Sequence, residues 1–174
     1  MKTKTIAVLG ALLLVASTAS AQEWTPFISL PLSGYNEVPA LSTPATGRFL
    51  ARGSLDGTKI EYLLTYDNLS GSVTQAHIHL GQTGVNGAIS LFLCTNLGNG
   101  PAGTQACPQT ATMAAPVTGI WTAADVTGGA AAQGLAAGEF GEVIAAIIAG
   151  KMYVNVHSQT FPGGEIRVQL PSGQ

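Results

Sequence analysis

Short apolar segments bounded by turn residues recur along the chain. Side chains in a β-strand point alternately to opposite faces, so apolar and polar residues that alternate over roughly four to eight positions predict a strand with one buried face. Eight segments show this alternation or are short β-rich runs: residues 26–34, 47–55, 59–69, 73–81, 87–94, 115–123, 151–158 and 164–170. Because turn residues separate them, the pattern predicts an all-β sandwich or barrel.

The clearest local connection is the Asp56-Gly57 pair between the second and third segments. Asp-Gly is favoured in tight hairpin turns because glycine accepts positive φ angles without steric cost. We therefore expect segments 47–55 and 59–69 to pair as a hairpin, closed by a short loop that also contains Thr58.

Residues 137–151 break the strand pattern. Apolar side chains recur there at the spacing of one helical face: Phe140, Val143, Ile144, Ile147 and Ile148. Gly150 and Lys151 follow, and glycine commonly stands just beyond a helix end. A short helix over one end of the sheet is the simplest interpretation. A buried strand through residues 143–149 is the alternative that periodicity leaves open.

The amino terminus has the features of a secretory signal peptide. Two lysines precede an apolar run over residues 6–16, and small residues follow up to Ala21. The run is shorter than the roughly 20 residues that a membrane-spanning helix needs, and no other stretch approaches that length. We therefore assign residues 1–21 to a signal peptide and residues 22–174 to one mature domain. The domain is expected to be exported to the periplasm or the extracellular space, without a membrane span.

Composition and charge narrow the class of function. Charged residues make up 9% of the chain and hydrophobic residues 46%, which is too apolar for a disordered protein. Loss of Lys2 and Lys4 with the signal peptide leaves five of the seven basic residues against nine acidic ones, a net charge of −4. A nucleic-acid binder would show a basic patch or stripe, so nucleic acid is not an expected partner.

Cys94 and Cys107 are the two cysteines of the chain. An even number of cysteines in an exported protein indicates a disulfide, here closing a loop rich in glycine and proline. Such a closure stabilises the fold by about 3 kcal/mol in the loop-entropy model. A pair of metal thiolates is the competing interpretation, and it suits a reducing cytosol better than an exported chain.

All three histidines lie in predicted strands. His77 and His79 are two positions apart, so both imidazoles point to one face of their strand and are close enough to bind one metal ion. His157 shares a face with Tyr153 and Asn155, opposite the apolar residues of its strand. If the two strands are neighbours, three imidazoles converge; otherwise the histidines are polar residues on a strand face without a ligand.

Three separated segments resemble the CHRD domain family, named after chordin and also found in exported bacterial proteins. They are LSGYNEVPALSTPATGRF (32–49), LTYDNLSGSVTQAHIHLGQTGVNG (64–87) and GKMYVNVHSQTFPGGEIRVQL (150–170). The resemblance implies an immunoglobulin-like, antiparallel β-sandwich or Greek-key barrel related to Cu/Zn superoxide dismutase. The helical segment at residues 137–151 adds one short helix to this expected fold. It implies His77 and His79 as copper ligands in a His-x-His strand, with His157 as the ligand from a later strand.

The histidines and acidic residues of this chain limit the kind of metal site that the resemblance implies. Three histidines are too few for a dinuclear copper and zinc centre, which leaves a mononuclear site, with copper favoured by the Irving–Williams order and zinc second. Glu37 and Glu165 are candidates for a fourth ligand or for an acceptor that orients an imidazole, and an ion pair with Arg167 or an N–H contact at a turn is the structural alternative. For Glu37 the sequence leaves both interpretations open. For Glu165 we expect a structural role, either as an ion pair with Arg167 or as an acceptor of an N–H at a turn.

These observations favour an exported metal-binding module that holds one ion, with copper preferred, through the three histidines. The alternative is a non-catalytic structural or protein-interaction sandwich without a metal, whose partner the sequence does not name. A superoxide dismutase-like redox enzyme is the third hypothesis, and a negative net charge offers little guidance to an anionic substrate. Hydrolase chemistry is disfavoured because the sequence has no recognisable nucleophile motif.

Overall fold

The computed structural model describes residues 24–26 and 28–173, so the predicted signal peptide, residues 1–21, lies outside the described residues. Eight strands pair antiparallel in one sheet: β1 Ile28–Ser33, β2 Thr46–Gly53, β3 Ile60–Asp67, β4 Val73–Leu80, β5 Ala88–Thr95, β6 Val117–Trp121, β7 Met152–Ser158 and β8 Ile166–Gln169. Each strand falls on one of the eight predicted segments. Alternation is a local property of the chain, which is why it located the strands.

The sheet curls until its two edges nearly meet. Strand order is β5-β4-β7-β8-β1-β2-β3-β6, so β6 skips two strands to pair with β3, a Greek-key connection. Across the gap between the edges, Trp121 donates its indole N–H to Phe92 O at 2.9 Å. Gln105 Nε2 donates to Leu93 O at 3.1 Å and to Thr118 O at 2.8 Å. The structure therefore confirms an all-β, barrel-like architecture.

The predicted hairpin is formed by β2 and β3, whose register runs from Thr46 opposite Asp67 to Gly53 opposite Ile60. In the turn, Asp56 Oδ1 accepts hydrogen bonds from Ser54 Oγ at 2.6 Å and from the Thr58 backbone N–H at 3.0 Å. Gly57 has a φ of 68°, the left-handed conformation that made the Asp-Gly pair informative.

The helical segment forms α1, Phe140–Ile148, so the alternative of a buried strand is wrong. Phe140 and Val143 are buried, and Ile144 and Ile147 pack against the same core. Gly150 follows the helix with a φ of 66°. Three short 3-10 helices complete the elements: Gly34–Asn36, Ala123–Asp125 and Gly128–Gln133. None of the helices in the described part of the chain has the length and apolarity to cross a membrane.

Cys94 and Cys107 form a disulfide, as predicted, with their Cα atoms 5.0 Å apart. The loop that it closes is also bound through Asn96. Its side-chain oxygen accepts from Cys107 N at 3.0 Å, and its amide nitrogen donates to Cys107 O at 2.9 Å. The metal-thiolate interpretation is therefore excluded for these cysteines, because both sulfur atoms are used in the bridge.

Strand β7 is buried along its whole length. Met152, Val154 and Val156 belong to the hydrophobic core, as the alternation predicted. Its other face carries polar side chains, including Asn155 and His157, which are 2% and 5% exposed. Turns cover this second face: Pro162 O lies 2.9 Å from His157 Nδ1, and Gly164 lies beside Asn155. A polar strand face enclosed in this way is the place to look for a binding site.

Candidate metal centre

The sheet places the histidine strands side by side, since β4 pairs antiparallel with β7. His77 lies opposite Asn155, and His79 lies opposite Tyr153. The pairing of β4 with β5 slips between Ala76 and His77, and again before His79. Irregularities of this kind redirect side chains and are frequent next to functional sites. The two strands that carry the histidines are therefore neighbours, which is the condition for the three imidazoles to converge.

The three histidines converge in space. One nitrogen atom from each of His77, His79 and His157 lies within 4.8 Å of the other two. The closest pair is His77 Nδ1 and His157 Nε2, at 3.2 Å. Two nitrogens that bind one ion tetrahedrally at about 2.05 Å stand about 3.3 Å apart, so the spacing fits a shared ion.

Backbone carbonyls set the protonation of two of the imidazoles. His79 Nδ1 is 2.9 Å from Gly87 O, and His157 Nδ1 is 2.9 Å from Pro162 O. A carbonyl oxygen only accepts hydrogen bonds, so each Nδ1 carries the proton and donates it. The lone pair of each neutral ring is then on Nε2, the nitrogen that faces the cluster. Metal-binding histidines are commonly oriented in this way.

Burial keeps the imidazoles neutral. Desolvation lowers the pKa of His77 to about 2, with further lowering from the neighbouring His157 and His79. It lowers the pKa of His79 to about 4, against the raising effect of the hydrogen bond to Gly87. The pKa of His157 is also lowered by burial, and its hydrogen bond to Pro162 partly opposes this. Neutral imidazole is the form that binds metals.

Two nitrogens of the cluster have no hydrogen-bond partner, although both are buried: His77 Nε2 and His79 Nε2. Unpaired buried polar atoms cost free energy, so each calls for an explanation. For His79 Nε2 the explanation is direct, because the other ring nitrogen already carries the proton. A lone pair directed into a buried cluster of imidazoles is suited to a cation.

Aromatic side chains hold the rings in place. The edge of His77 packs against Phe92, with ring centroids 4.6 Å apart. His79 stacks parallel to Tyr153 at 4.8 Å, and the Arg167 guanidinium lies 3.3 Å from the centre of the Tyr153 ring. Rings packed on their neighbours lose less freedom on binding an ion, which favours a preorganised site.

Glu37 is buried beside the cluster but is not part of the group of nitrogens within 4.8 Å. Burial raises the pKa of its carboxyl to about 7, and the charge of Arg167 opposes this rise. Gly164 makes room for it: a Cβ there would be 2.6 Å from both Glu37 Oε1 and Asn155 Nδ2. Ligation by Glu37 therefore stays a prediction, and its contacts are with residues around the histidines.

Glu165 has the structural role that the sequence favoured, as an acceptor of hydrogen bonds and not as the ion-pair partner of Arg167. Its Oε1 accepts from Thr43 Oγ1 at 2.6 Å and from the Ser70 backbone N–H at 2.8 Å. Arg167 instead donates to Asn86 Oδ1 at 3.0 Å and to Val85 O at 2.8 Å. The expected ion pair between the two is not seen. Alternation put both residues on one strand face, but the sequence did not show which turn packs over each of them.

Asn155 is the residue at this site whose role the sequence did not reveal. Its Oδ1 lies 3.0 Å from His157 Nε2, and it faces His77 across the strand pair. The sequence placed it on the same strand face as His157, and that was the available signal. Only the pairing of β4 with β7 makes it a neighbour of the other histidines.

A family model for the CHRD domain matches residues 28–170, which includes all eight strands and all three histidines. The chain belongs to the CHRD domain family. No curated protein and no solved structure matches it. The family assignment confirms the resemblance seen in the sequence motifs, while the functional argument for this CHRD domain comes from its own residues.

Proposed function

We propose that this CHRD domain is an exported binding module that holds one metal ion, copper in preference to zinc, through His77, His79 and His157. The observation that carries the proposal is the convergence of three buried, neutral imidazoles, with the nitrogen pair of His77 and His157 at 3.2 Å. Two of the rings are already oriented by backbone carbonyls.

The donor set supports the choice of metal. Imidazole suits copper and zinc, and the Irving–Williams order places copper above zinc for the same nitrogen ligands. Within the described residues, these histidines are the group of His, Cys, Asp or Glu side chains close enough to share an ion, which supports a single ion per chain. Bound copper would supply a redox-active centre, and the chain would hold it in a dry, aromatic surrounding.

Holding the ion, rather than catalysis on it, is the role that burial favours. His77 is fully buried, and His79 and His157 are 7% and 5% exposed. A small anion would need access to the ion, and the negative net charge of the chain does not attract one. We expect a copper-loaded sample to lack superoxide dismutase activity in a cytochrome c reduction assay. Catalytic dismutation at the bound ion would overturn this part of the proposal.

The test is calorimetric titration of the purified protein with Cu²⁺ and with Zn²⁺. One equivalent should bind, Cu²⁺ more tightly than Zn²⁺, and His157→Ala should abolish tight binding. Gln159→Ala is the matched control, because this exposed side chain lies two residues beyond His157. Weak binding that is unchanged in His157→Ala would contradict the proposal and favour the non-catalytic interaction domain.

A further inference from the structure

Asn155 lies beside the histidine cluster. It is 2% exposed, pairs with His77 across the two strands, and places its Oδ1 3.0 Å from His157 Nε2. The amide therefore contacts His157 directly and lies opposite His77 in the strand pairing.

The contact between Asn155 and His157 brings two acceptors together. The His157 ring has its proton on Nδ1, where it is donated to Pro162 O, so its Nε2 presents a lone pair. The amide oxygen of Asn155 is also an acceptor. At 3.0 Å these atoms repel each other unless a cation lies between them. The same His157 nitrogen is 3.2 Å from His77 Nδ1, which donates its proton to this lone pair when no ion is bound.

The opposite end of the amide explains this orientation. Asn155 Nδ2 and Glu37 Oε1 each lie 2.6 Å from the position that a Cβ of Gly164 would take, so the amide nitrogen is on the Glu37 side. A carboxylate accepts from the amide N–H group, which turns the amide oxygen towards the histidines. The absence of a side chain at Gly164 is what allows the two groups to meet, since any Cβ would be 2.6 Å from both.

We propose that Asn155 Oδ1 is the fourth donor atom of the histidine site, oriented by Glu37, and that it makes the site selective for Cu²⁺ over Cu⁺. This rests on the proposed function, and it gives the ion an N₃O donor set. Amide oxygen is a hard ligand that suits divalent ions, whereas Cu⁺ prefers soft donors. Glu37 is then a positioning residue, because it orients the Asn155 amide and does not bind the ion itself.

The selectivity can be measured as two affinities. Removing the oxygen with Asn155→Leu should weaken Cu²⁺ binding by about 10- to 100-fold, the usual cost of losing a supporting group at a metal site. Cu⁺ binding should change by less than about threefold. The reduction potential of the bound copper should rise by about 59 mV for each tenfold fall of the Cu²⁺ affinity relative to the Cu⁺ affinity.

The experiment uses the full purified chain, with chelator competition for both oxidation states and ascorbate as the reductant for Cu⁺. Asn155→Asp is a second variant that keeps the size of the side chain and places a carboxylate oxygen at the same position. It should retain Cu²⁺ affinity and shift the copper hyperfine splitting in the electron paramagnetic resonance spectrum. If Asn155→Leu fails to fold, the spectrum of Asn155→Asp still tests whether the side chain at position 155 binds the ion.

Each result has a defined meaning. Equal loss of Cu²⁺ and Cu⁺ affinity in Asn155→Leu would show that Asn155 only positions His157, and unchanged affinities would show that it is not a ligand. An Asn155→Asp spectrum identical to that of the parent would overturn the proposal as well. If the parent binds no copper, the proposed function itself fails. If the parent binds and His157→Ala does not, only the role of Asn155 is in question.

Discussion

A neutral imidazole has one N–H and one lone pair, so the partner of one nitrogen decides what the other can bind. Gly87 O and Pro162 O take the Nδ1 protons of His79 and His157. His77 has no such carbonyl: its Nδ1 faces His157 and its Nε2 has no partner. Two rings are thus fixed by the backbone, and His77 donates its Nδ1 proton to His157 Nε2.

The buried histidines make stability depend on pH. Each folded-state pKa is lower than the unfolded value of 6.5, so the unfolded chain binds more protons below about pH 6.5. The chelator-treated protein should therefore lose stability as the pH falls from 7 to 5. Each histidine contributes at most about 1.4 kcal/mol per pH unit to this loss. Urea denaturation at a series of pH values measures it.

The Glu37 carboxyl has the opposite effect on how the folding stability depends on pH. This carboxyl has a folded-state pKa of about 7 against 4.5 unfolded, so it favours the folded state at low pH and loses this contribution as the pH rises through 7. Glu37→Gln should consequently make the loss of stability between pH 7 and pH 5 steeper than in the parent. A free energy of unfolding that does not change with pH in either protein would contradict these pKa shifts.

Gly164 allows Glu37 and Asn155 to approach each other, and its substitution tests this packing. A Cβ at Gly164 would be 2.6 Å from an atom of each residue, and the φ of 127° is strained for other residues. Gly164→Ala should lower the free energy of unfolding by about 1–3 kcal/mol. Gly163→Ala is the control, because a Cβ there meets nothing within 4 Å, and it should change stability by less than about 0.5 kcal/mol. Equal effects of the two substitutions, measured by urea denaturation, would refute this account.

At the scale of elements, β4 and β7 carry the site and β5 supports it. Strand β5 packs Phe92 against His77 and carries Cys94 near its end, and the bridge from Cys94 to Cys107 ties the following loop to the sheet. Helix α1 lies over an apolar region that includes Ile78, the residue between the two histidines of β4. The two faces of β4 therefore have different roles, one in the core and one at the site.

The disulfide should stabilise the fold without contributing a ligand. It joins residues 13 apart in sequence, and closing a loop of this size is worth about 3 kcal/mol in the loop-entropy model. The double variant Cys94→Ala, Cys107→Ala should lose about 2–4 kcal/mol of unfolding free energy in urea. It should keep one metal equivalent, because neither sulfur belongs to the histidine cluster. Loss of the metal site together with the disulfide would show that the loop helps to form it.

At the scale of the whole molecule, one curled sheet brings together residues that are far apart in sequence. His77 and His157 are separated by 80 positions, and their nitrogens are 3.2 Å apart. Glu37 precedes β2, and it lies next to Gly164 together with Asn155 of β7. The site is therefore a product of the strand order of the CHRD domain as a whole.

Export stays a prediction for the chain, and the test is the amino terminus of the mature protein. The charged, apolar and small-residue regions of residues 1–21 predict cleavage after Ala21, so the exported protein should begin at Gln22. Intact-mass measurement of the protein from the periplasm or medium checks this. Ala21→Arg should block cleavage because the signal peptidase requires a small residue there. Recovery of the uncleaved chain from the cytosol in the parent would contradict the assignment.

The sequence by itself determined the local elements: the eight strands, the β2–β3 hairpin, the helix before β7 and, given export, the disulfide. Each depends on neighbouring residues, through alternation, turn chemistry or the compartment. It also identified the three histidines as candidate ligands and limited the predicted metal site to one ion.

Only the tertiary structure decided that these histidines meet, that turns bury them, and that Glu165 binds Thr43 and Ser70 rather than Arg167. The same holds for the contact between Asn155 and His157 beside the cluster. Each of these depends on strand order and on which loop covers which face. Such contacts join residues many positions apart, and no short stretch of sequence contains both partners.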